Sequence, residues 1–135
     1  MIPKLQQSVI LGINREFQKH KQKEKIIRMD RSFIREASRL IQGKWTIDIL
    51  FMIFFQENPY FNELRKSLPE INTRTLTSRL EQLKDKGIIE RNVHVGKPVR
   101  VSYKMTSFGK GLTYLMFPTM IYIILEQDRD ELKAK

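Results

Sequence analysis

Cysteine is absent from this 135-residue sequence, and histidine occurs only twice, at His20 and His94. Without a thiol the chain has no means of forming a disulfide, a thiolate metal site or a cysteine redox switch. The two histidines are far apart in sequence and lack the spacing of metal ligands. We therefore expect no metal site and no cofactor.

A hydrophobic run long enough to cross a bilayer is also missing. The longest run, residues 112–125, has 14 residues and contains Pro118, whereas a membrane-spanning helix needs about 20. No apolar signal-peptide region follows Lys4. These absences predict a cytoplasmic protein without membrane contact, in which residues 112–125 form a buried or interface helix.

Acidic residues are outnumbered, because 15 Asp and Glu stand against 25 Lys and Arg and give a formal net charge of +10. Such an excess attracts polyanions, of which nucleic acid is the most common and an anionic membrane the alternative. Charge alone does not choose between them. The length suits one domain with appended helices, and 41% apolar residues are enough for a core.

Signatures of catalysis are missing as well. The sequence has no glycine-rich phosphate loop, no paired histidines and no activated nucleophile motif. Its carboxylates fall on helix faces, where solvation explains them. We expect a protein that is not an enzyme.

Helical periodicity dominates the first half of the chain. A helix is predicted over 4–27, and four-residue spacing places Leu5, Val9, Ile13 and Phe17 on one face of it. Its basic end, residues 20–25, is interpreted either as an arm on a phosphate backbone or as a solvated helix face. Further helices are predicted over 32–42, starting after Asp30 or Ser32, and over 45–56, which is apolar nearly all round and marks the core.

Two polar or aromatic residues in this region have alternative interpretations. Trp45 opens the core helix and is either a packing residue or a platform for a ligand. Asp48 is the one charge within that helix. It pairs with a nearby cation or belongs to a ligand pocket.

Residues 60–87 have the pattern of a helix-turn-helix. A short helix over 60–67 is followed by a turn at 68–71, and Asn72 caps a second helix that ends at Gly87. Leu76, Leu80 and Leu83 form the buried stripe of this second helix. Its opposite face carries Arg, Thr and Ser in the N-terminal half and Glu81 and Asp85 in the C-terminal half. Because phosphate repels carboxylates, the N-terminal half is expected to meet DNA.

A β-hairpin is predicted next, with strands over 88–95 and 99–105 and a tip at 96–98. The second strand alternates, so one face is expected to hold Val99, Val101, Tyr103 and Met105 and the other Arg100, Ser102 and Lys104. The basic tip favours a wing that contacts DNA over a plain surface hairpin.

The last predicted helix begins after Thr106 or Ser107 and runs to about residue 126. Its apolar face is too broad for one small domain to cover, and exposed apolar patches of this kind mark interfaces. Pro118 is expected to bend the helix. Residues 128–135 are expected to be a charged, fraying tail.

The order of these segments resembles the HxlR family of bacterial and archaeal winged-helix regulators. The segments that carry the resemblance are 43–45, 61–64, 68–72, 76–83, 87–91, 101–106, Pro98 and Gly109, and together they cover about 33–125. The resemblance implies a homodimer that is held by terminal helices and binds a pseudo-palindromic operator. Several family members sense electrophiles through an N-terminal cysteine, and this chain has none.

The predicted fold class is therefore mainly α with a small β-hairpin wing, a winged helix-turn-helix with added N- and C-terminal dimerisation helices. The predicted domains are a helical extension at 1–28, a DNA-binding domain at 29–106 and a dimerisation helix at 107–135. The predicted DNA-binding residues are Arg65, Lys66, Asn72, Thr73, Arg74, Thr75, Thr77, Ser78, Arg79, Lys97 and Arg100. The predicted dimer interface is Leu112, Leu115, Met116, Thr119 and Ile123.

The predicted function is that of a sequence-specific regulator that binds double-stranded DNA as a homodimer. The alternative is a winged-helix interaction module of the transcription machinery without sequence-specific DNA binding. RNA binding is a weaker option, because single-strand recognition favours exposed aromatics on a sheet. The sequence does not give the operator, the sign of regulation or any small-molecule effector.

Overall fold

The computed structural model describes residues 2–20, 35 and 37–134. In this part of the chain one antiparallel hairpin accompanies a set of helices, which confirms the predicted fold class. The elements in chain order are α1 (Ile2–His20), α2 (Thr46–Gln56), α3 (Phe61–Ser67), α4 (Thr73–Asp85), β1 (Ile89–His94), β2 (Arg100–Met105) and α5 (Ser107–Ala134).

The chain divides into two compact units. One unit is Lys25–Lys110 and contains α2, α3, α4 and the hairpin. The other combines the two ends of the chain, Met1–Glu24 and Gly111–Lys135. The N-terminal helix and most of α5 therefore belong together, although the whole of the Lys25–Lys110 unit separates them in sequence.

Helix α2 lies at the centre of the Lys25–Lys110 unit. Ile49, Leu50 and Ile53 are buried, as its continuous apolar sequence predicts. Trp45 precedes the helix with a left-handed φ of 74°, and its half-buried ring lies 5.0 Å from the Lys44 ammonium. Asp48 is exposed and has no ion pair among the described residues.

The hairpin pairs in regular antiparallel register, from Ile89 opposite Met105 to His94 opposite Arg100. Thr106 closes its base, because the Thr106 N–H and hydroxyl both donate to the carbonyl oxygen of Ile88, at 3.1 and 2.9 Å. The same hydroxyl accepts the Gly109 N–H at 3.0 Å and so caps α5. Thr106 thus supplies the cap that the sequence assigned to Thr106 or Ser107.

The predicted division of β2 into an apolar and a polar face is wrong at two positions. Val99 lies before the strand and is 62% exposed, whereas Ser102 is only 4% exposed. Tyr60 pairs with Ser102 as an isolated antiparallel bridge, and the Ser102 hydroxyl lies 2.8 Å from His94 Nε2. These neighbours cover Ser102 because the chain before α3 runs alongside the free edge of β2.

In the other unit, α1 and α5 touch at two glycines. A Cβ atom on Gly12 would lie 2.5 Å from the Tyr114 ring, and one on Gly111 would lie 2.5 Å from the Glu16 carboxylate. A side chain at position 12 would displace the Tyr114 ring, whereas one at position 111 would displace only the flexible Glu16 side chain. Gly12, which counts against a helix on propensity alone, is instead a contact position. On α5, Thr113 and Phe117 are buried.

Helix α5 is longer than predicted. It continues through Pro118 and ends at Ala134, so the expectation of a fraying tail from residue 128 is wrong for the described part. The polar end contains helix-forming residues, and Arg129 Nη2 lies 2.9 Å from Glu126 Oε2, three residues earlier. Over Ser107–Glu131 the helix is long and apolar enough to cross a membrane by length and composition alone. The apolar run at 112–125, considered alone in the sequence, is too short to meet this length.

Parts of two predicted helices lie outside the described residues. For the helix predicted over 4–27, residues 21–27 are not described, and this range includes most of the basic run. For the helix predicted over 32–42, residues 32–34 and 36 are not described. Arg35 and Ala37–Arg39 are helical, and the Ile41 N–H donates to the Ser38 carbonyl oxygen at 3.2 Å.

Gly109 offers a test of how tightly the hairpin base meets α5. A Cβ atom there would collide with the Ile88 carbonyl oxygen and lie 2.9 Å from Met105 Sδ. Because a backbone atom has to move, we expect Gly109→Ala to lower the free energy of unfolding by about 1–3 kcal/mol in urea denaturation. Gly96→Ala is the control, since its Cβ would meet only the Pro98 carbonyl oxygen, at 3.6 Å. Equal losses in the two variants would contradict this contact.

Candidate nucleic-acid interface

The turn between α3 and α4 is held by two buried apolar side chains. Leu68 and Ile71 are 7% and 5% exposed, and the Ile71 N–H donates to the Leu68 carbonyl oxygen at 3.2 Å. Pro69 and Glu70 between them are exposed. This arrangement fixes the angle between the two helices and completes the predicted helix-turn-helix.

Helix α3 is fixed at both ends. At its start the Tyr60 N–H donates to the Glu63 carboxylate at 2.6 Å. At its end Gln56 of α2 donates to the Ser67 hydroxyl, also at 2.6 Å. Arg65 and Lys66, two of the predicted DNA-binding residues, are exposed in the last turn.

Helix α4 begins at the cap that the sequence predicts. The Asn72 side-chain oxygen accepts the Thr75 N–H at 2.8 Å. Leu76, Leu80 and Leu83 are each at most 1% exposed, which fixes the rotation of the helix about its axis. This stripe decides which of its polar side chains face solvent.

The N-terminal half of α4 presents the predicted reading residues. Arg74 and Ser78 are exposed and Thr75 is half-buried. Among the described residues Arg74 has no hydrogen bond or ion pair, so its guanidinium is available to a ligand. The Thr77 hydroxyl donates to the Thr73 carbonyl oxygen at 2.8 Å and has only its oxygen lone pairs left to offer.

In the C-terminal half of α4, the two acidic side chains lie close to a lysine. The Lys84 ammonium lies 2.7 Å from Glu81 and 3.8 Å from Asp85. The hydrogen bond that Lys84 donates to Glu81 holds the pKa of Glu81 below its usual range and raises the pKa of Lys84. An unpaired cation therefore stands at the N-terminal end of the helix, and paired charges stand at the other end.

Arg79 is the predicted DNA-binding residue that is most engaged within the protein. Its Nε donates to the Lys44 carbonyl oxygen at 3.1 Å and its Nη1 to Gln82 Oε1 at 2.8 Å. Gly43 makes room for it, because a Cβ atom there would lie 2.7 Å from the guanidinium carbon. Both partners of the Arg79 guanidinium are uncharged, one a backbone carbonyl and the other a side-chain amide.

The residues at and next to the hairpin tip differ in freedom. Lys97 is exposed at the tip, next to a cis peptide bond to Pro98. Arg100 begins β2 next to the tip, with its guanidinium 4.3 Å from the centre of the Tyr60 ring. The His94 ring meets the same tyrosine edge-on, with ring centres 5.6 Å apart.

Sequence reasoning missed Tyr60 and His94 as residues that support the hairpin. Tyr60 lies outside the regular elements, and the two residues are 34 positions apart, so no local periodicity connects them. The only sequence signal was an aromatic residue directly after Pro59, before α3.

The helix-turn-helix and the hairpin lie within a stretch of the chain that matches a known protein family. A family model described as HxlR-like helix-turn-helix matches residues 40–126. The chain belongs to the HxlR-like helix-turn-helix family. The match contains α2, the helix-turn-helix, the hairpin and most of α5, and leaves out α1.

Similar proteins carry regulator names. Two uncharacterized HTH-type transcriptional regulators of Bacillus subtilis strain 168, YybR and YdeP, are each 40% identical to this chain over 73 residues, which is 54% of it. The matches span 58% and 56% of those two proteins. The redox regulator HypR in its reduced form has a similar solved structure, with a TM-score of 0.59 and 29% identity over 76% of this chain and 98% of HypR.

Asn72 provides a test of the cap at the start of α4. Asn72→Ala removes the side-chain acceptor of the Thr75 N–H, so we expect a loss of about 1 kcal/mol in the free energy of unfolding, measured in urea. Asn72→Asp is the matched control, because it restores the acceptor and adds a negative charge where the helix dipole favours one. If both variants lost the same stability, the cap would have no measurable role.

Proposed function

We propose that the protein is a cytoplasmic transcriptional regulator, without enzymatic activity, that binds double-stranded DNA in a sequence-specific manner. The observation that supports this most is the N-terminal half of α4. There Arg74 and Ser78 are exposed, opposite a fully buried leucine stripe, at the end of a helix-turn-helix. Recognition helices of this motif contact base edges with their N-terminal residues.

The proposed base contacts are Arg74, Thr75 and Ser78. An arginine reads guanine best, through two hydrogen bonds to its O6 and N7 atoms, and this requires a guanidinium that is free of other partners. Asn72, Thr73, Thr77, Arg65, Lys66, Lys97 and Arg100 are proposed to contact phosphates or a minor groove.

Arg79 remains a predicted DNA-binding residue, but its described hydrogen bonds are made within the protein. Arg100 is also restrained, since it lies over the Tyr60 ring. A cation above an aromatic face keeps its charge while its orientation is fixed. We therefore propose that Lys97 reaches the DNA backbone as a free side chain and that Arg100 offers its charge to the backbone from a fixed position beside Tyr60.

We further propose that the protein acts as a homodimer through α5. Leu115 and Ile123 are 44% and 46% exposed, Thr119 between them is exposed, and these three residues repeat at four-residue steps. Leu112 and Met116 are half-buried beside them. An apolar stripe of this size on one chain is typical of a protein interface. Two copies would place their recognition helices about 34 Å apart, in successive major grooves.

Selection of bound sequences from random duplex DNA tests this function. We expect the full chain to enrich a pseudo-palindrome whose half-sites are one helical turn apart, about 10 base pairs. Enrichment of no motif would favour the interaction-module alternative.

Arg74→Lys is the matched variant for the same selection. It keeps the charge and loses the two-pronged contact, so it should relax the preference at one position in each half-site and cost about 1–3 kcal/mol at the selected site. An unchanged motif would assign Arg74 to the backbone.

The dimer is tested by charge placed on the stripe. Leu115→Glu combined with Ile123→Glu would bury unpaired carboxylates, which costs several kcal/mol. We therefore expect a monomer in sedimentation equilibrium and loss of binding to the full palindrome. The control is Leu115→Met with Ile123→Leu, which keeps the surface apolar and should remain dimeric. A dimeric glutamate variant would rule out this face.

A further inference from the structure

A basic pocket opens between α4 and the segment that precedes α2. It has a volume of about 580 Å³, and its lining consists of Arg39, Gln42, Gly43, Arg79, Gln82 and Lys86. Three of these side chains are cations, two are amides and none is a carboxylate. This surface, the basic pocket, brings several positively charged hydrogen-bond donors together at a distance from Arg74.

Two of the three cations of the basic pocket donate hydrogen bonds to backbone oxygens. Arg79 donates to the Lys44 carbonyl and to Gln82, as described above. Lys86 Nζ donates to the Arg39 carbonyl oxygen at 2.6 Å. A guanidinium has five N–H donors and an ammonium has three, so both groups keep free donors after these bonds. Arg39 is exposed, and its side chain has no hydrogen bond among the described residues.

The basic pocket lies on a different side of α4 from the proposed base contacts. Arg79, Gln82 and Lys86 follow one another at steps of three and four residues and share one face. At about 100° per residue, Arg79 is about 140° around the helix from Arg74. A ligand in the basic pocket would therefore not take the place of the bases that Arg74 is proposed to read.

We propose that the basic pocket binds a phosphate-bearing anion, supplied either as a small free molecule or as a phosphate of the DNA backbone. Arginine offers a planar fork to phosphate oxygens and lysine a compact charge, and both form strong charge-assisted bonds with them. A phosphate or diphosphate group balances most of the three positive charges, whereas a single carboxylate would leave two unmatched. The bound group would join α4 to residues 39–43, and any effect on operator affinity rests on the proposed function.

Titration calorimetry of the full chain with inorganic pyrophosphate, in the absence of DNA, tests the site itself. We expect saturable binding to the wild-type protein. We also expect binding about tenfold weaker in Arg39→Gln, which removes one charged hydrogen-bond donor without disturbing a described contact. Lys133→Gln is the control, because it removes the same charge from the other compact unit and should leave the affinity unchanged. Equal weakening in both variants would overturn the proposal, since pyrophosphate would then respond only to net charge.

Arg79→Lys is the second variant and tests the fork. It retains the charge and loses the planar donors, so pyrophosphate should bind more weakly while the unfolding curve in urea shows whether the fold has been kept. Wild-type affinity in a folded Arg79→Lys protein would assign Arg79 a purely structural role and overturn its part in the site.

The salt dependence of binding to the selected duplex distinguishes the two sources of phosphate. If a DNA phosphate occupies the basic pocket, Arg39→Gln should lower the slope of log K against log salt by about one charge. If a free molecule occupies it, the slope stays unchanged and pyrophosphate binding alone is weakened. If Arg39→Gln changes neither the salt slope nor the affinity for pyrophosphate, the proposal is overturned. The regulator function would still stand, because the selected motif tests it separately.

Discussion

Burial of three leucines on α4 is the constraint on which the arrangement of this surface depends. Leu76, Leu80 and Leu83 are almost completely removed from solvent, and burial of a leucine side chain is worth about 1.5–3 kcal/mol. Rotating the helix would expose all three together. The outward direction of Arg74 and Ser78 is therefore set by the apolar side of the helix, and these two residues are free to vary in chemistry without changing its orientation.

The hairpin is held in place by a different kind of contact. Tyr60 pairs with Ser102 through the backbone, and its ring lies against both His94 and Arg100. One residue thus joins the chain that leads into α3 with both strands of the hairpin. A lysine at the tip gains a defined position from these contacts, because the strands leading to it are fixed relative to the helix-turn-helix.

The sequence was sufficient where local periodicity and caps decide the structure. The leucine stripe, the cap at Asn72 and the end of α4 near Gly87 all follow from spacing within one helix. Contacts between distant residues were not accessible in this way. Burial of Ser102 depends on Tyr60, the bonds of Arg79 depend on Lys44, and the contact at Gly12 depends on Tyr114.

The length of α5 was underestimated for a related reason. Its apolar run ends near residue 125, and the charged residues that follow resemble a solvated tail when hydrophobicity alone is considered. Helix propensity and the Arg129–Glu126 pair continue the helix to Ala134. The predicted DNA-binding and dimer residues all lie at exposed or half-buried positions.

The contact between α1 and α5 has a consequence for the order in which the molecule forms. The ribosome releases the chain from its N-terminus, and compact units fold as they emerge. The Lys25–Lys110 unit is complete once residue 110 has emerged, but the glycine contacts of α1 need Gly111 and Tyr114. Helix α1 is therefore made well before the part of α5 that it contacts, and it has to wait for Gly111 and Tyr114 before these contacts form.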